Sequence, residues 1–203
     1  MKIYFVRHGE SQANLQRVIS NRDLPHELTV RGREQAERLG ERFFGHTITR
    51  IFTSPLLRAA QTATILAERL SVECVKVDGL REFDCGVAEG RADEAAWALW
   101  QAEYDAWVFN HDYGHKIEGG ESFQEVQKRF VPFINSLVRN YAGTKSEIIC
   151  VSHGGIYSVM LPCIMQNVTP DLMMKHGFDY TSCIVAQLRQ GSLVCTEWNG
   201  IPI

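Results

Sequence analysis

Two short runs, Ile3-Tyr4-Phe5-Val6 and Ile148-Ile149-Cys150-Val151, are wholly apolar, and each stops on a polar element carrying histidine and glycine. The first leads into Arg7-His8-Gly9 and the second into Ser152-His153-Gly154-Gly155. A strand with no polar face is covered on both sides, as in a parallel sheet sandwiched between helices. Such sheets bind ligands beyond the carboxyl ends of their strands, where both histidines fall.

The rest of the chain fits that frame. Arg50–Thr53, Val72–Val77 and Glu147–Val151 read as further strands, and Ser182–Leu188 with Leu193–Trp198 as a C-terminal strand pair turning at Gln190-Gly191. Between them lie helical patterns. One runs from an N-cap at Thr29 to about Phe44. One starts at Ser54-Pro55, with Ser as N-cap and Pro at the first helical position, and runs to about Leu70. A capping box at Ser122-Phe123-Gln124-Glu125 opens a helix to about Tyr141, and a last helix spans about Ile156–Met165. Ser11–Leu28 reads as a polar loop. The expected fold is α/β: a three-layer α/β/α sandwich, a mostly parallel central sheet and a small helical cap insertion, in one domain over residues 1–203.

The net charge is −3, and no Lys/Arg cluster forms a nucleic-acid stripe, so nucleic acid is not an expected partner. No run approaches the ~18 apolar residues of a membrane span, and no signal-peptide pattern is visible, so no membrane partner and a cytoplasmic location are expected. The six cysteines lie scattered, without C-x-x-C or metal-ligand spacing, and read as reduced core residues. No metal and no cofactor are expected.

An imidazole is largely unprotonated near neutral pH and can act as a nucleophile, and a neighbouring Arg can grip phosphate oxygens bidentately. Gly9 would let the backbone approach an anion closely. Arg7-His8-Gly9 by itself also fits a surface histidine. Arg58 falls in the first turn of a helix, where the free N–H groups and the dipole favour anions. The Gly154-Gly155 pair after His153 would clear space for a ligand. The loop Leu80–Gly90 holds Glu82, Asp84 and Glu89, and its pattern does not select one as an acid.

Taken together, Arg7-His8-Gly9-Glu10-Ser11 with Asn14, Ser54-Pro55-Leu56-Leu57-Arg58-Ala59-Ala60-Gln61-Thr62-Ala63, Leu80-Arg81-Glu82 through Gly90, Gly119-Gly120-Glu121-Ser122 and Val151–Gly155 resemble, in order, the blocks of the histidine phosphatase superfamily, also called phosphoglycerate-mutase-like. The resemblance implies a phosphohistidine on His8, charge stabilisation by Arg7, Arg58 and His153, with His153 working best as imidazolium, and proton donation by Glu82. It implies substrate contacts at Asn14, Ser20 and Gly154. Asn21 stands where the family usually has Gly after Ser20, and its tolerance of left-handed backbone would preserve the turn.

The implied activity is metal-independent hydrolysis of a small phosphorylated metabolite, such as a sugar phosphate. A phosphoglycerate mutase and a non-catalytic phospho-ligand binding protein are the alternatives; at 203 residues the chain resembles the shorter phosphatases. The specificity region is placed at about 91–116. There Trp97, Trp100 and Trp107 read as core anchors of an amphipathic helix rather than a stacking platform, and His111, Tyr113 and His115 follow, facing the pocket. A homodimer is compatible with the sequence.

Overall fold

The computed structural model describes every residue from Met1 to Ile203. Its seven strands form one sheet in the order β3-β2-β4-β1-β5-β6-β7. Strands β1 (Lys2–Arg7), β2 (Ile48–Thr53), β3 (Cys74–Lys76) and β4 (Glu147–Ser152) are parallel. Strands β5 (Cys183–Arg189), β6 (Ser192–Trp198) and β7 (Ile201–Pro202) extend the other side as an antiparallel ribbon.

The apolar runs of β1 and β4 feed two cores because successive side chains point to opposite faces. Ile3, Phe5, Ile148 and Cys150 join the larger core, which packs α5 (Phe123–Tyr141) and α6 (Gly154–Ile164). Tyr4, Val6, Ile149 and Val151 join the smaller core under α2 (Val30–Arg42) and α3 (Leu57–Leu70). This is the three-layer arrangement the alternation predicts.

Several local expectations change. The stretch Ser11–Leu28 is not all loop: it contains α1 (Gln12–Gln16), where Asn14 Oδ1 accepts from the Ser11 N–H at 3.0 Å and from its hydroxyl at 2.8 Å. Thr29 caps α2 as expected, its hydroxyl accepting from the Gly32 N–H at 2.9 Å. Ser54 does not cap α3. The helix begins two residues later, after Leu56, while the Ser54 hydroxyl accepts from the Leu56 N–H at 3.3 Å and lies 2.7 Å from His153 Nε2. The third strand is shorter than Val72–Val77, and α6 starts at Gly154, directly after His153. Helix α7 (Pro170–His176), capped by Thr169, has no counterpart in the sequence reading.

Gly9 serves a different contact from the one its sequence suggests. A Cβ there would lie 2.4 Å from the Gly32 carbonyl oxygen, so its bareness lets α2 approach the strand end rather than admitting an anion.

Helix α4 (Glu94–Val108), capped by Asp93, is the insertion. Trp107 is fully buried and docks it on the body. Glu103 also points inward, and burial pushes its pKa up to about 8, so it is neutral at pH 7. All six cysteines are free; Cys163 is exposed and Cys74 half-buried, while the other four are buried. No helix is long and apolar enough to cross a membrane.

Candidate active site

The register of the parallel strands assembles the centre. Arg7 pairs with Ser152 across β1 and β4, so the next residues, His8 and His153, emerge side by side. Their rings lie 5.0 Å apart between centroids. Strand β2 pairs Thr53 with Val151, and its continuation delivers Ser54 to His153 and Arg58, one helical turn on, to His8. Three neighbouring strands therefore supply the centre.

His8 has a defined tautomer. Its Nδ1 lies 2.7 Å from the Gly9 carbonyl oxygen, which can only accept, so Nδ1 carries the proton. Nε2 then holds the free lone pair, and it accepts from Arg58 Nε–H at 3.0 Å. Burial, then the Arg58 and Arg7 charges, push the His8 pKa well below its ordinary value, so the ring is neutral.

His153 is likewise held well below its ordinary value by burial and by Arg58, His8 and Arg7. Burial, ahead of the charges of Arg58 and Arg7, favours the neutral ring, whereas the resemblance implies an imidazolium. Its Nδ1 is buried without a hydrogen-bond partner, as is Arg7 Nε. Buried polar atoms of this kind are costly, and an anion entering between them would offset the cost.

Arg58 is buried, and its charge is worth keeping only with partners. Its Nη1 donates to the Ser20 carbonyl at 2.5 Å and its Nη2 to Asn21 Oδ1 at 3.3 Å, while burial lowers its pKa to about 10. Arg7 donates from Nη1 to the Phe178 carbonyl at 2.6 Å and lies 4.6 Å from the centre of the Tyr180 ring.

The loop carboxylates separate cleanly. Asp84 pairs with Arg22 at 2.9 Å, and Glu89 accepts from the N–H groups of Asn21 and Cys85. Glu82 alone of the three lines the central cleft. Its Oε1 accepts from the N–H groups of Phe83 at 3.1 Å and Ile156 at 2.6 Å, and its Oε2 from Gly155 at 2.9 Å. The carboxyl is thus seated on the N-terminal turn of α6. Burial nevertheless wins over Arg58 and those donors and raises its pKa. The Gly154-Gly155 pair makes room for protein side chains. A Cβ at Gly155 would meet Glu82 Oε2 at 2.8 Å, and one at Gly154 would meet the Arg7 guanidinium at 3.2 Å.

The cleft measures about 360 Å³ and brings together Arg7, His8, Arg58, Glu82, Asn14, Ser20 and Gly154, with His153 packed behind His8. Asn14 and Ser20 spend part of their hydrogen-bonding capacity on the protein: Asn14 Oδ1 caps α1, and the Ser20 hydroxyl lies 2.8 Å from His26 Nδ1. His111, Tyr113 and His115 do not face the cleft. They are exposed beyond α4, with His111 Nδ1 3.1 Å from the Tyr113 hydroxyl. Trp97 and Trp100 pack against the larger core as expected, and they also line the cleft.

Sequence reasoning missed Ser54, Thr62 and the second role of Asn21. Thr62 Oγ1 accepts from the Gly9 N–H and donates to the Arg58 carbonyl, tying the His8–Gly9 loop to α3. Asn21 does not adopt left-handed backbone; its side chain braces Arg58. Only Ser54 carried a sequence signal, since it directly follows β2 as the two histidines follow β1 and β4.

Residues 3–201 match the family model of the histidine phosphatase superfamily, branch 1. Over 172 residues the chain is 33% identical to the probable phosphoglycerate mutase GpmB of Salmonella choleraesuis, covering 83% of this chain and 74% of that one. Among solved structures it is similar to a putative alpha-ribazole-5'-P phosphatase from Escherichia coli, with a TM-score of 0.79, 26% identity, and coverage of 100% and 98%. It is also similar to a phosphoserine phosphatase of Entamoeba histolytica solved with phosphoserine, with a TM-score of 0.79, 25% identity, and coverage of 98% and 96%.

Proposed function

The chain belongs to the histidine phosphatase superfamily, and from that premise we propose that it is a metal-independent phosphomonoesterase acting on a small phosphorylated metabolite through a phosphohistidine on His8. The observation that carries this reading is the neutral, tautomer-defined His8, whose Nε2 lone pair meets Arg58 in a cleft that also holds Glu82.

An incoming phosphoryl group draws Arg58 from His8 onto its oxygens, joined by Arg7, which frees the lone pair. Nε2 attacks phosphorus, and the bond to the ester oxygen breaks. Glu82, whose acid form is favoured by burial, gives its proton to the departing alkoxide. The Glu82 carboxylate then takes a proton from water as the oxygen attacks phosphorus, the N–P bond breaks, and inorganic phosphate leaves. The negative charge of the phosphoryl group favours protonation of His153 at that stage, which restores the imidazolium role within the complex. Two guanidinium groups supply the positive charge that a metal supplies elsewhere, so chelators should leave the rate unchanged.

A phosphoglycerate mutase is the second reading, favoured by the name of the 33%-identical relatives. Both readings share the first step and differ in the acceptor. A phosphate-release screen over phosphorylated metabolites, run beside 3-phosphoglycerate with a bisphosphoglycerate primer, separates them. Phosphate release that His8→Ala abolishes, with acid-labile phosphate on the wild type, is the expected result. Efficient formation of 2-phosphoglycerate without net phosphate release would replace hydrolysis by mutase activity. A chain that never acquires acid-labile phosphate would leave only a binding role.

A further inference from the structure

The cleft has two chemically different halves. Every charged group lining it, Arg7, Arg58 and Glu82, belongs to the floor where the phosphoryl group would sit. The opposite wall is aromatic. Trp100 and Tyr104 lie nearly parallel, 5.5 Å between centroids and 10° between planes, and Trp97 lies 5.9 Å from Trp100. Phe83 backs Trp100 at 6.2 Å.

Trp107 is fully buried beneath α4, and Trp97, Trp100 and Tyr104 pack against the rim of the same core. Trp97 and Trp100 are half-buried, and their remaining surface lines the cleft. The indole N–H of Trp97 donates to the Arg17 carbonyl at 2.8 Å, so its polar edge is satisfied by the protein and only apolar surface is left for a ligand. A carboxylate on the leaving group would find no second cation here. Arg22 and Arg91 are committed to Asp84 and Asp93, and Arg17 is exposed outside the cleft lining.

We propose that this wall is a stacking subsite for a flat, uncharged ring, so that the substrate is the phosphate monoester of a ring-bearing neutral alcohol and not a carboxylate-bearing ester of the glycerate or serine type. The claim rests on the monoesterase reading of the floor for the word substrate, but the subsite itself is a matter of binding. A cleft of about 360 Å³ holds a phosphoryl group with a ring system beside it. Tyr104 and Phe83 already lie parallel to Trp100, so a flat ring gains on this wall through Trp97 and the exposed ring edges, contacts whose aromatic geometry favours it over an equally apolar chain.

The test measures binding and turnover separately. Benzylphosphonate, methylphosphonate and phosphonoacetate are titrated calorimetrically into the wild-type protein, and kcat/KM is compared for 2-phenylethyl phosphate, 3-phosphoglycerate and phosphoserine, all esters of aliphatic alcohols. Benzylphosphonate should bind about tenfold tighter than the other two phosphonates. Trp100→Leu should bring it to within about threefold of methylphosphonate while leaving methylphosphonate unchanged. The wild-type ranking stands whether or not that variant folds.

Benzylphosphonate bound no tighter than methylphosphonate, or phosphoserine hydrolysed as fast as 2-phenylethyl phosphate, would overturn the subsite and leave the hydrolase reading intact. Ring preference in binding with no ester hydrolysed would do the reverse.

Discussion

Glu82 shows how a single side chain acquires a role its own sequence context does not confer. Three carboxylates share its loop; two are occupied by Arg22 and by backbone N–H groups, and only Glu82 lines the cleft. Its raised pKa has a kinetic consequence. Proton donation requires the acid form, so activity is present below the raised value and lost as pH climbs through it. His8, held well below its ordinary value, stays unprotonated far into the acid range and does not set the alkaline side. Glu82→Gln should therefore remove the alkaline limb of the pH–rate profile. It should lower kcat by roughly 10²–10⁴ on esters of poor leaving groups and far less on p-nitrophenyl phosphate, whose alcohol departs with little protonation. Equal losses on both, or an alkaline limb that persists, would remove Glu82 from the acid role.

At the scale of elements, the start of α6 is the most tightly used piece of backbone. Its first residues form the seat of Glu82, and the lack of a Cβ at Gly155 is what lets the carboxyl reach Gly155 and Ile156 N–H. Gly155→Ala would place a methyl group 2.8 Å from Glu82 Oε2 and from Phe83 Cε1. The expected result is a loss of about 1–3 kcal/mol in denaturant unfolding together with a fall in kcat that exceeds any rise in KM. A folded variant with unchanged kcat would show that the seat of Glu82 tolerates displacement. Helix α4 is divided along its length in the same manner: Trp107 docks it, while Trp97, Trp100 and Tyr104 face the cleft.

For the whole molecule, the centre stores unfavourable electrostatics. Arg58 is buried and Arg7 half-buried, and Glu82 is the one carboxylate that joins them in the cleft. Buried charge without full compensation costs stability. An anion that binds only the folded state returns it by mass action, about 2.7 kcal/mol at a hundred times its Kd. For a chain of this size that is a rise in Tm of roughly 5–10 °C. Inorganic phosphate should produce that shift in a thermal melt, and Arg58→Met should lose most of it. A shift that survives the substitution would detach Arg58 from anion binding.

The sequence by itself determined the sandwich and its reactive edge. Wholly apolar strands have to be covered on both faces, and polar His-Gly elements at their ends have to sit at the sheet's carboxyl edge. His8, Arg58, Glu82 and His153 were legible as blocks in order. What only the tertiary structure decided depends on contacts between segments distant in the chain. Strand register set His8 beside His153. The fold set Ser54 against His153, and the approach of Gly32 gave Gly9 its purpose. The ion pair of Asp84 with Arg22 and the backbone contacts of Glu89 left Glu82 as the loop carboxylate in the cleft. Helical spacing could not tell which tryptophans of α4 pack and which face the cleft, because both faces of that helix are apolar; the floor beneath it made the choice.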